Sequence, residues 1–233
     1  MGEHLLKQFD DEMNKLRFRL VRVGTLLQQQ IELAISSLLD NNYERANLVI
    51  ELEKKIDQLD IKIDKQCARI IALHQPVAQD LRLILAGFQI NIYMEMMSDL
   101  ATNITKRVLE MPDIQSIVAQ TNINKMAKRL EEMISDILDG FVNMNVELAI
   151  KAVKASEDID SIFDDNFKLI NSIMIDDHSL IKFCANLQDI NRNFQIIAKQ
   201  GKSIAQELVF LFEAKVVKHF NIEDLNEIEK QEL

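Results

Sequence analysis

The chain has 233 residues but only 5 glycines, 2 prolines and 2 cysteines, and no tryptophan. Glycine and proline supply the backbone conformations of tight turns. Their scarcity excludes a sandwich, a barrel or a repeated strand–helix unit. The two cysteines, Cys67 and Cys184, stand far apart inside helical patterns. They read as buried thiols in a reduced compartment, not as a disulfide framework. Positive charge is short as well: 27 Lys and Arg against 37 Asp and Glu leave a net charge of −10. Non-specific nucleic-acid binding needs a basic surface. No basic cluster large enough is visible, so no nucleic-acid partner is expected. No apolar run approaches the ~18 residues of a membrane span. Met1-Gly2-Glu3-His4-Leu5-Leu6-Lys7 lacks the layout of a signal peptide. A soluble, cytoplasmic protein is expected. There is no P-loop, glycine-rich turn or Ser/His/Asp arrangement to support catalysis.

What is present is helical periodicity, twice over. Leu20, Val23, Leu27, Ile31, Ile35 and Leu38 form an apolar stripe at helical spacing. Shifted by 103 residues, the same stripe reads Ile123, Met126, Leu130, Ile134, Leu138 and Phe141. Asn42, Glu44 and Ala46 recur as Asn145, Glu147 and Ala149, and Ile56-Asp57 as Ile159-Asp160. Further on the offset becomes 100: Ile90, Asn91 and Ile104 recur as Ile190, Asn191 and Ile204. The predicted fold is all-α, two tandem three-helix bundles related by a pseudo-two-fold repeat. Helices are expected at roughly 5–40, 43–73 and 76–110, then 115–141, 146–175 and 179–216. The first bundle is set at residues 1–111, the second at 112–220, and an acidic tail at 221–233, with Met111-Pro112-Asp113 as the boundary. Pro76 suits the first turn of the third helix, and His74 reads as a loop residue.

The third helix carries Asn91, Glu95, Asp99 and Asn103 in an i, i+4 stripe, with no Lys or Arg three or four residues from either acid. Like charges at that spacing repel, so compensation must come from outside the helix. Glu53 and Asp57 share a face of the preceding helix. Asp57 lies 18 residues before Gln75 and Glu95 lies 20 after it. In an antiparallel hairpin both pairs sit at similar height. Glu53, Asp57, Glu95 and Asp99, with Asn103 in support, then form an all-oxygen site for a hard cation: magnesium, manganese, iron or calcium. The bland alternative is a solvated face on which Lys54, Lys55, Lys62 and Lys65 pair with Glu53, Asp57, Asp60 and Asp64. Asp80 and Arg82, in the first turns of the third helix, read as helix-start electrostatics with an interhelical ion pair, or as a ligand or partner contact. Met94, Met96 and Met97 read as core. A ferritin-like di-iron enzyme would need inward Glu-x-x-His pairs. None of His4, His74, His178 and His219 falls in one. A structural scaffold would explain the periodicity but not the polar stripe.

Glu53-Lys54-Lys55-Ile56-Asp57, Gln75-Pro76-Val77-Ala78-Gln79-Asp80-Leu81-Arg82 and Glu95-x-x-x-Asp99 with Asn103, set in a two-fold repeat of three helices, resemble the PhoU family of phosphate-uptake regulators. The likeness runs over roughly residues 8–219. It departs at Glu95-Met96-Met97-Ser98-Asp99, where the family's arginine is missing. The resemblance implies a regulator rather than an enzyme. It would couple a phosphate ABC transporter to a sensor histidine kinase, lie at the inner face of the membrane without spanning it, and carry metal on paired acidic motifs. A homodimer is compatible with it.

The halves differ in charge. Ser156 stands where the repeat has Glu53, and Gln195, Lys199 and Ser203 stand where it has Glu95, Asp99 and Asn103. Metal is therefore expected on the first half alone. A Lys199–Asp160 pair is expected on the second, where Glu157 is a spare carboxylate.

Overall fold

The computed structural model describes the backbone of residues 2–40, 42–111 and 115–217. Among the described residues seven α-helices follow one another: α1 Gly2–Asp40, α2 Tyr43–His74, α3 Ala78–Leu109, α4 Gln115–Val118, α5 Ile123–Asn143, α6 Val146–Asp176 and α7 Ile181–Glu213. No strand occurs among the described residues. Helices α1, α2 and α3 pack on one another, as do α5, α6 and α7. The two bundles join where α3 meets α7 and α1 meets α5. Gly24 sits at that second junction, where an added Cβ would lie 2.8 Å from Leu138 Cδ1. The all-α, two-bundle architecture is the one the repeat predicts.

The apolar stripe of α1 is buried along its whole length, from Leu20 to Leu38. Its repeat is buried through Ile134, while Leu138 and Phe141 are half-buried where α5 crosses onto the first bundle. The helix starts repeat as well. Asn42 Oδ1 accepts from the N–H groups of Glu44 and Arg45 (3.0 and 3.2 Å), and Asn145 Oδ1 from that of Leu148 (3.1 Å). Such caps satisfy N–H groups that a helix start leaves open.

Five expectations need correction. Pro76 is not in the first turn of α3. Gln75 turns left-handed (φ 46°) and closes α2 onto Ile71 O, Val77 is extended, and the helix opens at Ala78. His74 is the last residue of α2, not a loop residue, and its ring lies 5.3 Å from that of Phe9. The helix expected over 115–141 is broken at 119–122. There Asn122 N–H donates to Asn166 Oδ1 of α6 (2.7 Å) and Ile123 N–H to Thr121 Oγ1 (3.3 Å), bonds that compete with helix continuation. A 3-10 turn over His178–Leu180 precedes α7, which stops at Glu213 because Ala214 is left-handed (φ 56°). Met94 and Met97 are core, but Met96 is 39% exposed. Cys67 and Cys184 are buried free thiols. Burial, then the charge of Asp64, pushes Cys67 up to about 12. Among the described residues no helix is long and apolar enough to cross a membrane. Pro112 and Asp113 of the expected boundary, and the acidic tail, lie outside the described residues.

Candidate functional site

Along α2 the acids Glu53, Asp57, Asp60 and Asp64 follow one another at spacings of four, three and four. At about 100° per residue they stay on one edge of the helix. That edge meets α3, which contributes Glu95 and Asp99. Asn91 anchors the meeting. It is 1% exposed, and its Nδ2 donates to Asp60 Oδ1 (2.7 Å), Asp64 Oδ1 (3.2 Å) and the Asp60 carbonyl (3.3 Å). Glu53, Asp60, Asp64 and Glu95 are half-buried, while Asp57 and Asp99 are exposed.

These carboxylates act on one another. Burial raises the Glu95 carboxyl above the ordinary glutamate value, and the charges of Asp99, Asp60 and Asp57 raise it further. Burial, then Asp64, raises Asp60, with the Asn91 bond opposing and Asp57 adding. Glu53 is raised by burial, lowered by the Lys106 charge, raised by Asp57 and Asp99, and lowered by a hydrogen bond from Thr102. Among the described residues none of these six carboxylates has an ion pair within 4 Å. The lysine pairing expected of a bland face is therefore not seen among the described residues. Lys62 and Lys65 lean to the opposite edge of α2, over α1.

The donor set suits a hard cation: oxygen only, negatively charged and short of internal countercharge. The side chains have not closed into a coordination shell. Among the described residues no three Asp, Glu, His or Cys groups converge to metal-holding distance.

The structure treats the predicted residues unequally. Glu53, Asp57, Glu95 and Asp99 lie on one seam, within electrostatic reach of each other. Asn103 is not with them. It is exposed and lines a cleft of about 490 Å³ between α3 and α7 with Lys106, Arg107, Glu110, Asp189 and Arg192. Twelve residues beyond Asn91 the stripe has rotated about 120°, which carries Asn103 round the helix. Asp80 is in the first turn of α3, as expected. Arg82 makes no interhelical ion pair among the described residues, and its Nε is buried without a hydrogen-bond partner. Sequence reasoning missed Asp60 and Asp64 as seam residues. Their signal was the continuation of the Glu53–Asp57 edge, masked by the neighbouring lysines.

The second bundle presents the same helix pair in another chemistry. Lys199 Nζ lies 3.6 Å from Asp160 Oδ1, the pair expected, and Gln195 Nε2 donates to that same oxygen at 2.6 Å. Glu157 is taken by Lys202 at 3.6 Å. Phe163 and Phe167, rings 6.4 Å apart, occupy the positions of Asp60 and Asp64.

Both bundles match the PhoU domain, over residues 20–108 and 123–208. The chain is 28% identical over 207 residues to a phosphate-specific transport system accessory protein PhoU homolog of Zymomonas mobilis, covering 89% of this chain and 87% of that one. It is 29% identical over 216 residues to the homolog of Aquifex aeolicus, covering 93% and 98%. The crystal structure of PhoU from Pseudomonas aeruginosa shares the fold, with a TM-score of 0.83 at 24% identity over 89% of this chain and 100% of that one. Two domain matches, one in each bundle, and relatives aligned over about nine-tenths of this chain place it in the PhoU family.

Proposed function

We propose that the chain is a non-catalytic regulator of phosphate uptake. It holds phosphate-starvation genes down when phosphate is plentiful by linking a phosphate ABC transporter to a sensor histidine kinase. Family membership is the observation that carries this reading. The relatives named above are accessory proteins of a phosphate-specific transport system. The net charge of −10 favours partner surfaces that are basic or apolar, so binding weakens as salt rises. Deleting the gene should raise expression of phosphate-uptake functions in high phosphate. Unchanged expression with normal transport would overturn the role.

The carboxylate seam is the proposed metal site, and what supports it is a set of neighbouring carboxylates with no ion pair within 4 Å among the described residues. Glu53, Asp57, Glu95 and Asp99 would hold a hard divalent or iron-type ion, with Asp60 and Asp64 adding negative charge at the Asn91 end. The ion would serve as countercharge, drawing α2 and α3 together. Asn103 is left out of this ligand set because it lines the neighbouring cleft between α3 and α7, where Lys106, Arg107 and Arg192 stand with Glu110 and Asp189.

A further inference from the structure

Helix α2 is charged on both edges, with opposite signs. The edge facing α1 closes a cleft of about 240 Å³ that gathers Lys15, Arg19, Lys62, Lys65 and Arg69 around one carboxylate, Glu12. No basic cluster of this size is visible in the sequence, because its members come from two helices some fifty residues apart. In a chain of net charge −10, five cations in one concavity are a concentrated exception.

The cleft is organised. Gln66, 4% exposed, forms its floor. Its Nε2 donates to the Glu12 carbonyl (2.7 Å) and to Glu12 Oε2 (3.2 Å). Its Oε1 accepts from Arg19 Nη1 (2.6 Å), which also reaches the Lys62 carbonyl at 3.2 Å. Arg19 is thereby fixed with its remaining N–H donors free. Glu12 is drawn toward Gln66 and Arg69, the latter at 3.8 Å. Lys15, Lys62 and Lys65 have no ion-pair partner among the described residues. The second bundle has no counterpart: the repeat places Val118, Asn122, Asp165, Lys168, Leu169 and Ser172 at these positions.

We propose that this cleft binds a compact ligand carrying two or more linked phosphate groups. Lysine ammonium groups and a fixed arginine are the donors such oxygens take. The volume lies below the range of ordinary small-molecule pockets, which suits a diphosphate or triphosphate moiety. A long polyanion is disfavoured. Asp10 and Asp11 directly precede Glu12 on α1, the acidic edge of α2 lies one helix width away, and the overall field of the protein is negative.

The test is titration calorimetry of the full chain with inorganic pyrophosphate at low salt, against sodium sulfate at equal ionic strength. Saturable binding of one pyrophosphate per chain is expected, at least tenfold weaker in K62E/K65E and retained in K62R/K65R. Retention in R192E, which alters the cleft between α3 and α7, and in E95Q/D99N, which alters the carboxylate seam, assigns the heat to this cleft. Circular dichroism of K62E/K65E should match the parent, so that loss of binding is not loss of fold. No saturable heat, or equal affinity in K62E/K65E and the parent, overturns the proposal. Vesicles of phosphatidylglycerol in phosphatidylcholine, whose headgroups carry only single phosphodiesters, test whether an anionic lipid surface binds instead. Sedimentation of the parent with them, without any response to pyrophosphate, would overturn a free ligand in favour of a lipid headgroup.

Discussion

The seam between α2 and α3 and the seam between α6 and α7 are the same junction built twice, and they carry opposite solutions to one problem. Both keep a buried asparagine on the later helix that ties it to a carbonyl of the earlier one: Asn91 to Asp60 at 3.3 Å, Asn191 to Phe163 at 3.2 Å. Backbone register is therefore held alike. The side chains around that anchor diverge. In the second bundle the asparagine is also satisfied by a neighbour, Asn166, whose Nδ2 donates to Asn191 Oδ1 at 3.2 Å. In the first bundle the position of Asn166 belongs to Ile63, and Asn91 Oδ1 is buried without a hydrogen-bond partner. The second seam closes its charges internally, through Lys199–Asp160 and Lys202–Glu157. The first leaves six carboxylates without an ion pair. The repeat keeps the packing and the anchor and changes the charge: Asp60 and Asp64 serve the Asn91 anchor of the first seam, while Asp57, Glu95 and Asp99 have no such partner in it.

The sharpest way to break this comparison is to measure metal. Under the proposed reading, Glu95→Gln with Asp99→Asn should abolish metal uptake, because two of the four ligating charges go and a hard cation is bound mainly by charge. Lys199→Ala should leave the metal content as it was. Elemental analysis of dialysed protein reads both. Equal metal in the double variant and the parent would remove the site, and metal lost on Lys199→Ala would remove the asymmetry.

Next in size is the buried network of the second bundle. Asn166→Leu should cost about 2–4 kcal/mol in urea unfolding, because it strips buried groups of their partners. Asn191 Oδ1 loses its donor, and the Asn122 N–H loses the acceptor that breaks the chain between α4 and α5. A cost below about 1 kcal/mol would mean the second seam does not depend on its polar interior.

Much of this was legible before any coordinates. Spacing alone located six long helices, since apolar stripes of this length admit no other periodicity. The offset of 103, then 100, paired Asp57 with Asp160 and Asp99 with Lys199, and so exposed the charge difference and the Lys199–Asp160 contact. What stayed hidden was tertiary. The break at 119–122 depends on Asn166, more than forty residues away. The destination of Lys62 and Lys65 depends on which edge of α2 meets α1. The i, i+4 stripe put Asn103 with Glu95, but the slow rotation of that stripe carries it to a different cleft.

A pH series sharpens the comparison further. Glu53, Asp60 and Glu95 of the metal-free protein are raised above their ordinary values of 4.5, 3.8 and 4.5, burial being the first cause in each. A carboxyl raised on folding binds its proton more tightly in the folded state. Its contribution to stability therefore falls as pH rises, through the window from the ordinary value to the raised one. Above that window the charge is a standing penalty. Glu95→Gln should accordingly raise Tm in chelator at pH 7, and the gain should shrink as pH is lowered through the window. With saturating metal the sign should reverse, since the parent then gains ligand stabilisation. A Tm in chelator that drops on Glu95→Gln would show that the seam is compensated after all.

The smallest effect belongs to the second seam. The Lys199 ammonium is half exposed, its contact with Asp160 is 3.6 Å, and Asp160 already accepts a shorter bond from Gln195. Exposed pairs of this kind contribute about 0–1 kcal/mol. Lys199→Ala should therefore lower stability by less than about 1 kcal/mol, and 0.5 M salt should shrink even that. Removing Lys202 as well frees Glu157, leaving Asp160 and Glu157 as two carboxylates on a face with no cation from α7 opposite them. Two acids beside the neutral amide of Gln195 still fall short of the six on the first seam. The double variant should then remain without metal and lose only a further fraction of a kcal/mol. Metal uptake in the Lys199→Ala, Lys202→Ala protein would mean that the lysines, and not the missing acids, keep the second seam empty. The two halves would then differ by blockade rather than by loss of ligands.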